Sequence, residues 1–263
     1  MAAARLILTA AITLPASMPA AAKSPFDGKW VADLDTQSGL ATDIYLVADG
    51  SYACKSCTPP RAYPADGQPH AIPGAPDVIS EAVTIAGPRT IVTHIVSPAL
   101  DRTTTMTVAP DDQSATYVSI DHRPGIKTAL RTEYLARRTA PAPPGAHPVS
   151  GTWQGVRYVA VPAEVRTTEL RVDGGMFTYR TPLGTSFIAR LGGDYVPIRT
   201  SYKSALLAAV RRVGDRQIEE SVKQDGKLVA VRTFTVAPDG RTMEIATRNP
   251  DGGAVFRITA RKQ

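Results

Sequence analysis

Histidine and cysteine are scarce in this chain of 263 residues, which holds four of the first and two of the second. That scarcity removes most of the metal and acid–base chemistry that leaves a mark in sequence. His70, His94, His122 and His147 fall in neither an H-x-x-x-H nor an H-E-x-x-H arrangement. There is no G-x-S-x-G nucleophile elbow and no loop to cradle a phosphate. Gly192-Gly193 and Gly252-Gly253 read as hairpin turns. Glu219 and Glu220 are adjacent, so on a strand they face opposite sides and cannot act as a carboxylate pair. The expectation for them is one solvent-facing and one rim position. Beyond residue 22 no apolar run approaches the length of a membrane helix. Nothing matches a nucleic-acid motif. The sequence therefore offers no catalytic residue, no metal set and no cofactor.

What is present is the composition of a folded chain dense in turns: 43% hydrophobic, 21% charged, with 22 prolines and 20 glycines. Residues 1–22 stand apart. Arg5 is their one charge, Leu6 to Leu14 form a short apolar core, and Ala20-Ala21-Ala22 supplies small residues for cleavage. That pattern predicts a secretory signal peptide and a periplasmic or secreted protein without a membrane span. Charge is shared unevenly. Residues 23–148 carry 11 Lys+Arg against 13 Asp+Glu, whereas residues 149–263 carry 18 against 11. The positive charges of the second half are scattered, as on a solvated face, although a basic half also suits an anionic envelope component.

The strongest signal is a duplication. Thr-Val-Ala-Pro-Asp occupies 107–111 and again 235–239. Each copy leads into an alternating run: Ala115, Tyr117, Ser119 in the first, Met243, Ile245, Thr247 in the second. Period-two runs around a Pro-Asp turn predict a β-hairpin. Gly28-Lys29-Trp30 is matched by Gly151-Thr152-Trp153, Asp49-Gly50 by Asp173-Gly174, and Thr58-Pro59 by Thr181-Pro182. The landmarks keep their order at offsets of 122 to 128 residues, which marks an internal repeat. Ser204 to Val210 has helix propensity, but its counterpart, Asp77 to Val83, reads as a strand, and a strand is expected in both. Between the copies, residues 139–148 hold four prolines and predict a semi-rigid spacer. The expected organisation is all-β: a first barrel-like unit at 23–138, the Pro-rich linker at 139–148 and a second unit at 149–263. Each unit is an antiparallel meander.

The order G-x-W, then Asp-Gly before Tyr52 or Phe177, then T-P, then Asp66-Gly67-x-x-His70, then the T-V-x-x-D hairpin resembles secreted bacterial proteins built from tandem lipocalin-like β-units. Cys54-Lys-Ser-Cys57-Thr-Pro-Pro is the most particular match. The resemblance spans nearly the whole chain after residue 22. It implies barrel-like antiparallel sheets, and it carries no activity, ligand or catalytic residue, since most such proteins have no assigned function.

Cys54 and Cys57 form a C-x-x-C. In an oxidising compartment the default is a disulfide, with half of a metal site or a redox pair as alternatives. A haem motif would need His where Thr58 stands. Phe177 and Arg180 are read as the counterparts of the two cysteines, so the fold does not require the pair. Tyr45, Tyr52, Tyr158 and Phe177 are candidates to line a ligand cavity, while Trp30 and Trp153 are expected to plug one end of each unit. The functional expectation is a secreted, non-enzymatic binding protein for a small apolar ligand or an anionic envelope component. Its rivals are a periplasmic thiol-disulfide protein using Cys54 and Cys57, and a structural spacer with no small ligand.

Overall fold

The computed structural model describes residues 23–72, 74, 80–98, 100–122, 126–200, 204–250 and 255–263. The expected signal peptide at 1–22 lies outside them, as does Gly252-Gly253. The regular structure of the described chain is almost entirely antiparallel strand, folded into two nearly closed barrel-like sheets. One short helix, α1 (Ala163–Arg166), interrupts it.

Barrel I holds β2 (Thr42–Ala48), β3 (Ser51–Cys54), β4 (Arg61–Pro64), β5 (Ser80–Gly87), β6 (Thr90–Ser97), β7 (Leu100–Val108), β8 (Ser114–Asp121), β9 (Leu130–Ala140) and β10 (Gly151–Ala160). Its spatial order is β4-β3-β2-β10-β9-β8-β7-β6-β5. The two edges meet where the His70 and Glu81 backbones exchange hydrogen bonds of 2.9 Å. Barrel II holds β1 (Gly28–Ser38), β11 (Thr167–Asp173), β12 (Met176–Arg180), β13 (Ser186–Arg190), β14 (Val196–Pro197), β15 (Leu206–Gly214), β16 (Gln217–Gln224), β17 (Lys227–Val236), β18 (Thr242–Arg248) and β19 (Val255–Lys262). It closes through Ser186 and Arg199, whose backbones exchange bonds of 2.9 and 2.8 Å.

Local chemistry explains the turns. Asp49 and Gly50 both have positive φ (49° and 71°), the signature of a two-residue type I′ hairpin. In the second copy the turn slides by one residue. Asp173 still pairs with Met176, and Gly174-Gly175 make the corner. The Pro-Asp hairpins share their closing bonds. Ala109 N–H donates to Ser114 O and Ala237 N–H to Thr242 O, both at 2.9 Å. The Asp111 carboxylate accepts from Gln113 N–H at 2.9 Å and Asp239 from Arg241 N–H at 2.8 Å. Ala208 and Val210, expected on a strand, lie buried on β15; alternation outweighs helix propensity once a sheet offers partners.

The sheets do not divide the chain where the repeat does. β1 lies between β11 and β19, in barrel II, although it opens the first sequence copy. β10 opens the second copy and lies between β2 and β9, in barrel I. The Pro-rich linker thus joins two neighbouring strands of one sheet. It is also tied down: His147 N–H donates to Val47 O at 2.8 Å, and the His147 ring sits 2.9 Å from Gly87 O. Barrel I is one continuous stretch, residues 42–160, inserted between β1 and the rest of barrel II. The chain crosses between barrels at 39–41 and at 161–166. Gly39 has φ +72° at the first crossing, and a Cβ there would stand 1.9 Å from Val255 O, so only glycine passes.

Each barrel buries one tryptophan, the third residue of β1 or of β10. Trp30 and Trp153 have no exposed surface. Each indole N–H donates at 2.8 Å to the carbonyl four residues earlier, Phe26 O or Val149 O. A cation from the closing strand covers each ring: Lys262 Nζ at 4.8 Å over Trp30, Arg138 Cζ at 4.1 Å over Trp153.

Candidate functional site

Above the tryptophans the two interiors diverge. Barrel I fills its middle with phenols. Tyr45 and Tyr52 approach at 5.9 Å between ring centroids, Tyr117 and Tyr134 stack at 4.3 Å, and Tyr134 reaches Tyr158 at 5.5 Å. Tyr134 Oη donates to Asp43 at 3.0 Å. Burial raises the Asp43 carboxyl above its ordinary value and drives the phenols of Tyr45, Tyr52 and Tyr134 far up, so they stay protonated. Near the closing seam Glu81, 2% exposed, takes a 2.5 Å hydrogen bond from Arg61 Nε. All of these but Tyr158 line a cavity of about 210 Å³.

Barrel II is greasier. Phe177 packs on Phe187 and Phe234, and Tyr179 stacks on Phe187 at 5.3 Å. One ion pair enters this interior. Arg232 stands 3.3 Å from Glu220 and donates to Tyr179 Oη at 3.2 Å. The Glu220 carboxylate keeps the guanidinium firmly charged. Arg232 and Glu220 are cross-strand partners. By the 128-residue offset of the hairpins Arg232 corresponds to Thr104, which pairs with Thr93 in barrel I. One copy thus carries hydroxyls where the other carries charges.

A second cavity, about 430 Å³, lies where the barrels meet. Barrel II lines it with Leu34, Phe234, Ile245, Phe256 and Ile258, and barrel I with Leu130, Thr132 and Tyr158. Three arginines reach it (Arg102, Arg166 and Arg232) beside one carboxylate, Asp121. Arg166 donates to Val161 O at 3.1 Å and to Ala32 O at 3.2 Å, which pins the second crossing over the opening. Gln37 bonds the Tyr158 backbone, accepting from its N–H at 3.0 Å, and so joins the far ends of β1 and β10.

The four ligand-wall candidates separate. Tyr45 and Tyr52 line the barrel I cavity, and Tyr158 lines the junction. Phe177 is fully buried away from both. It takes the hairpin position of Tyr52, as the pairs Val47–Tyr52 and Val172–Phe177 show, but Phe187 and Phe234 fill that level of barrel II. The same register corrects the counterpart of Cys54, which is Tyr179. Cys54 and Cys57 are joined as a disulfide with Cα atoms 5.4 Å apart. Cys54 is 1% exposed at a strand end, with no helix terminus beside it among the described residues to favour a thiolate.

The charged interior residues escaped the sequence reading. Glu220 is neither solvent-facing nor at a rim; it is 2% exposed, opposite Arg232. The signal was parity: Ile218-x-Glu220-x-Val222 and Arg102-x-Thr104-x-Met106 place the charge in phase with buried apolar neighbours. Among the described residues no three His, Cys, Asp or Glu side chains converge to hold a metal, and no helix is long and apolar enough to cross a membrane. No protein family, curated protein or solved structure matches the chain.

Proposed function

We propose that this is a secreted binding protein of the lipocalin-like kind, holding a small, largely apolar ligand in the cavity between its barrels. The observation that carries the reading is that cavity: about 430 Å³, within the range of small-molecule sites, and walled by aliphatic and aromatic side chains with a few convergent polar groups. Interiors of this fold that serve only stability are filled by their own side chains, as they are around Trp30 and Trp153. The apolar leader at 1–22 and the disulfide support an extracytoplasmic setting.

The test is to purify the protein from its native host and identify co-purifying molecules by native mass spectrometry. Restoring the extracted compound should raise the melting temperature, since occupancy at a hundredfold excess over Kd adds about 2.7 kcal/mol. Ile245→Trp, which fills the cavity from β18, should abolish that shift while leaving the far-ultraviolet spectrum unchanged. A protein that emerges empty and gains nothing from any lipid or pigment fraction would instead favour the spacer.

A further inference from the structure

Among the described residues the two cavities share a single lining residue, Arg102 on β7. On one side of it lies the apolar junction; on the other lies the hydroxyl-rich interior of barrel I, with Thr104, Ser119 and Tyr117. Thr104 and Ser119 satisfy each other at 2.8 Å. One buried donor does not find a partner. Arg102 Nε has no hydrogen-bond acceptor among the described residues, whereas the Tyr117 hydroxyl has those of Tyr45 and Tyr134 beside it. A buried donor without an acceptor is costly, and native proteins rarely keep one without a reason.

The other arginines of the junction are engaged. Arg232 holds Glu220 and Tyr179, and Arg166 holds two backbone carbonyls. Asp121 is the cross-strand partner of Arg102 on β7–β8 and lines the junction beside it. On the barrel I side the nearest ionisable groups are Asp43, bonded by Tyr134, and the Arg61–Glu81 pair. The open valence here is therefore a cationic donor, at the edge of an apolar chamber.

We infer that the ligand is an amphiphile with a carboxylate head, its tail in the junction cavity and its head turned toward barrel I onto Arg102. This rests on the ligand-binding reading above and narrows it. A carboxylate brings both lone pairs and the opposite charge to the Arg102 N–H, and an ion-paired bond to a guanidinium is the stronger kind. An alcohol of equal chain length accepts only as a neutral oxygen, and a cationic head has no lone pair to offer.

The experiment compares dodecanoate, dodecanol and dodecyltrimethylammonium by calorimetric titration into the full-length protein. Dodecanoate should bind at least about tenfold more tightly than dodecanol, as expected for a hydrogen bond to a charged group, and the ammonium should bind worst. Arg102→Gln should remove the preference for the acid while leaving dodecanol within about twofold. Asp121→Asn, by taking away a competing carboxylate, should tighten dodecanoate. Equal binding of acid and alcohol in the unaltered protein overturns this inference but leaves the apolar cavity reading standing. Failure of all three probes overturns both. Because the acid-to-alcohol ratio is read in the unaltered protein, it decides the matter even if Arg102→Gln fails to fold.

Discussion

At the scale of single residues, charges buried inside the barrels set the sharpest expectations. Glu81 and Arg61 form a nearly closed pair, 2% and 12% exposed. Replacing one partner leaves the other charge uncompensated, which in buried pairs costs about 3–5 kcal/mol. Glu81→Leu should therefore lower the urea midpoint steeply, and Glu81→Leu with Arg61→Met should recover most of the loss. Asp43 gives a pH test. Burial raises its carboxyl in the folded state, so the folded chain holds that proton more tightly than the unfolded one. The resulting stability is full below the unfolded value near 4 and is lost as pH rises through the folded-state pKa. Asp43→Asn, which can still accept the Tyr134 bond, should be more stable than the parent at pH 7 and indistinguishable from it at pH 3. The disulfide matters less. It spans a sequence separation of three, and loop entropy for so short a ring is at most about 2 kcal/mol. Cys54→Ser should shift the melting point modestly and leave the sheet signal in place.

At the scale of elements, the exchanged strands decide which parts can stand alone. Residues 42–160 contain every strand of barrel I, whereas residues 23–138 keep β1 without its partners and lack β10. The fragment 42–160 should give a dispersed amide spectrum, and the fragment 23–138 should be unfolded or aggregated, because the edges of β2 and β9 are left open. Sequence made the hairpins and the repeat legible: Asp49-Gly50, the two Pro-Asp turns and the alternation through Ala115, Tyr117 and Ser119 are local signals, and the local structure follows them. The exchange was not legible. Trp30 and Trp153 sit in equivalent surroundings, so the pattern of buried and exposed positions is the same whichever barrel receives each strand. Only the crossings at 39–41 and 161–166 distinguish the outcomes, and the prolines at 139–148 pointed to the wrong joint. The junction cavity was hidden for a related reason, since its walls come from both copies and from neither alone.

At the scale of the whole molecule, the crossings hold the two mouths together. Gly39→Ala would force a non-glycine residue into positive φ and a Cβ against Val255 O. The backbone strain alone is about 1–3 kcal/mol. Calorimetry should show barrel II melting earlier, with barrel I less affected. Ligand affinity should fall with it, because Leu34 on β1 and the β19 residues Phe256 and Ile258 form part of the wall.

The seating of β1 also has a consequence for biogenesis. Thr36 and Asp33 meet Thr259 and Arg261, 223 and 228 residues away. At translation rates of about 5–20 residues per second, β1 waits roughly seven to thirty seconds for β11 and ten to fifty for β19, the two strands it docks between. The intervening barrel meanwhile has all it needs to close. The nascent chain must therefore carry an unmated strand past a finished neighbour, and the charges of Lys29, Asp33 and Asp35 along it are the kind that discourage adventitious pairing in the interval.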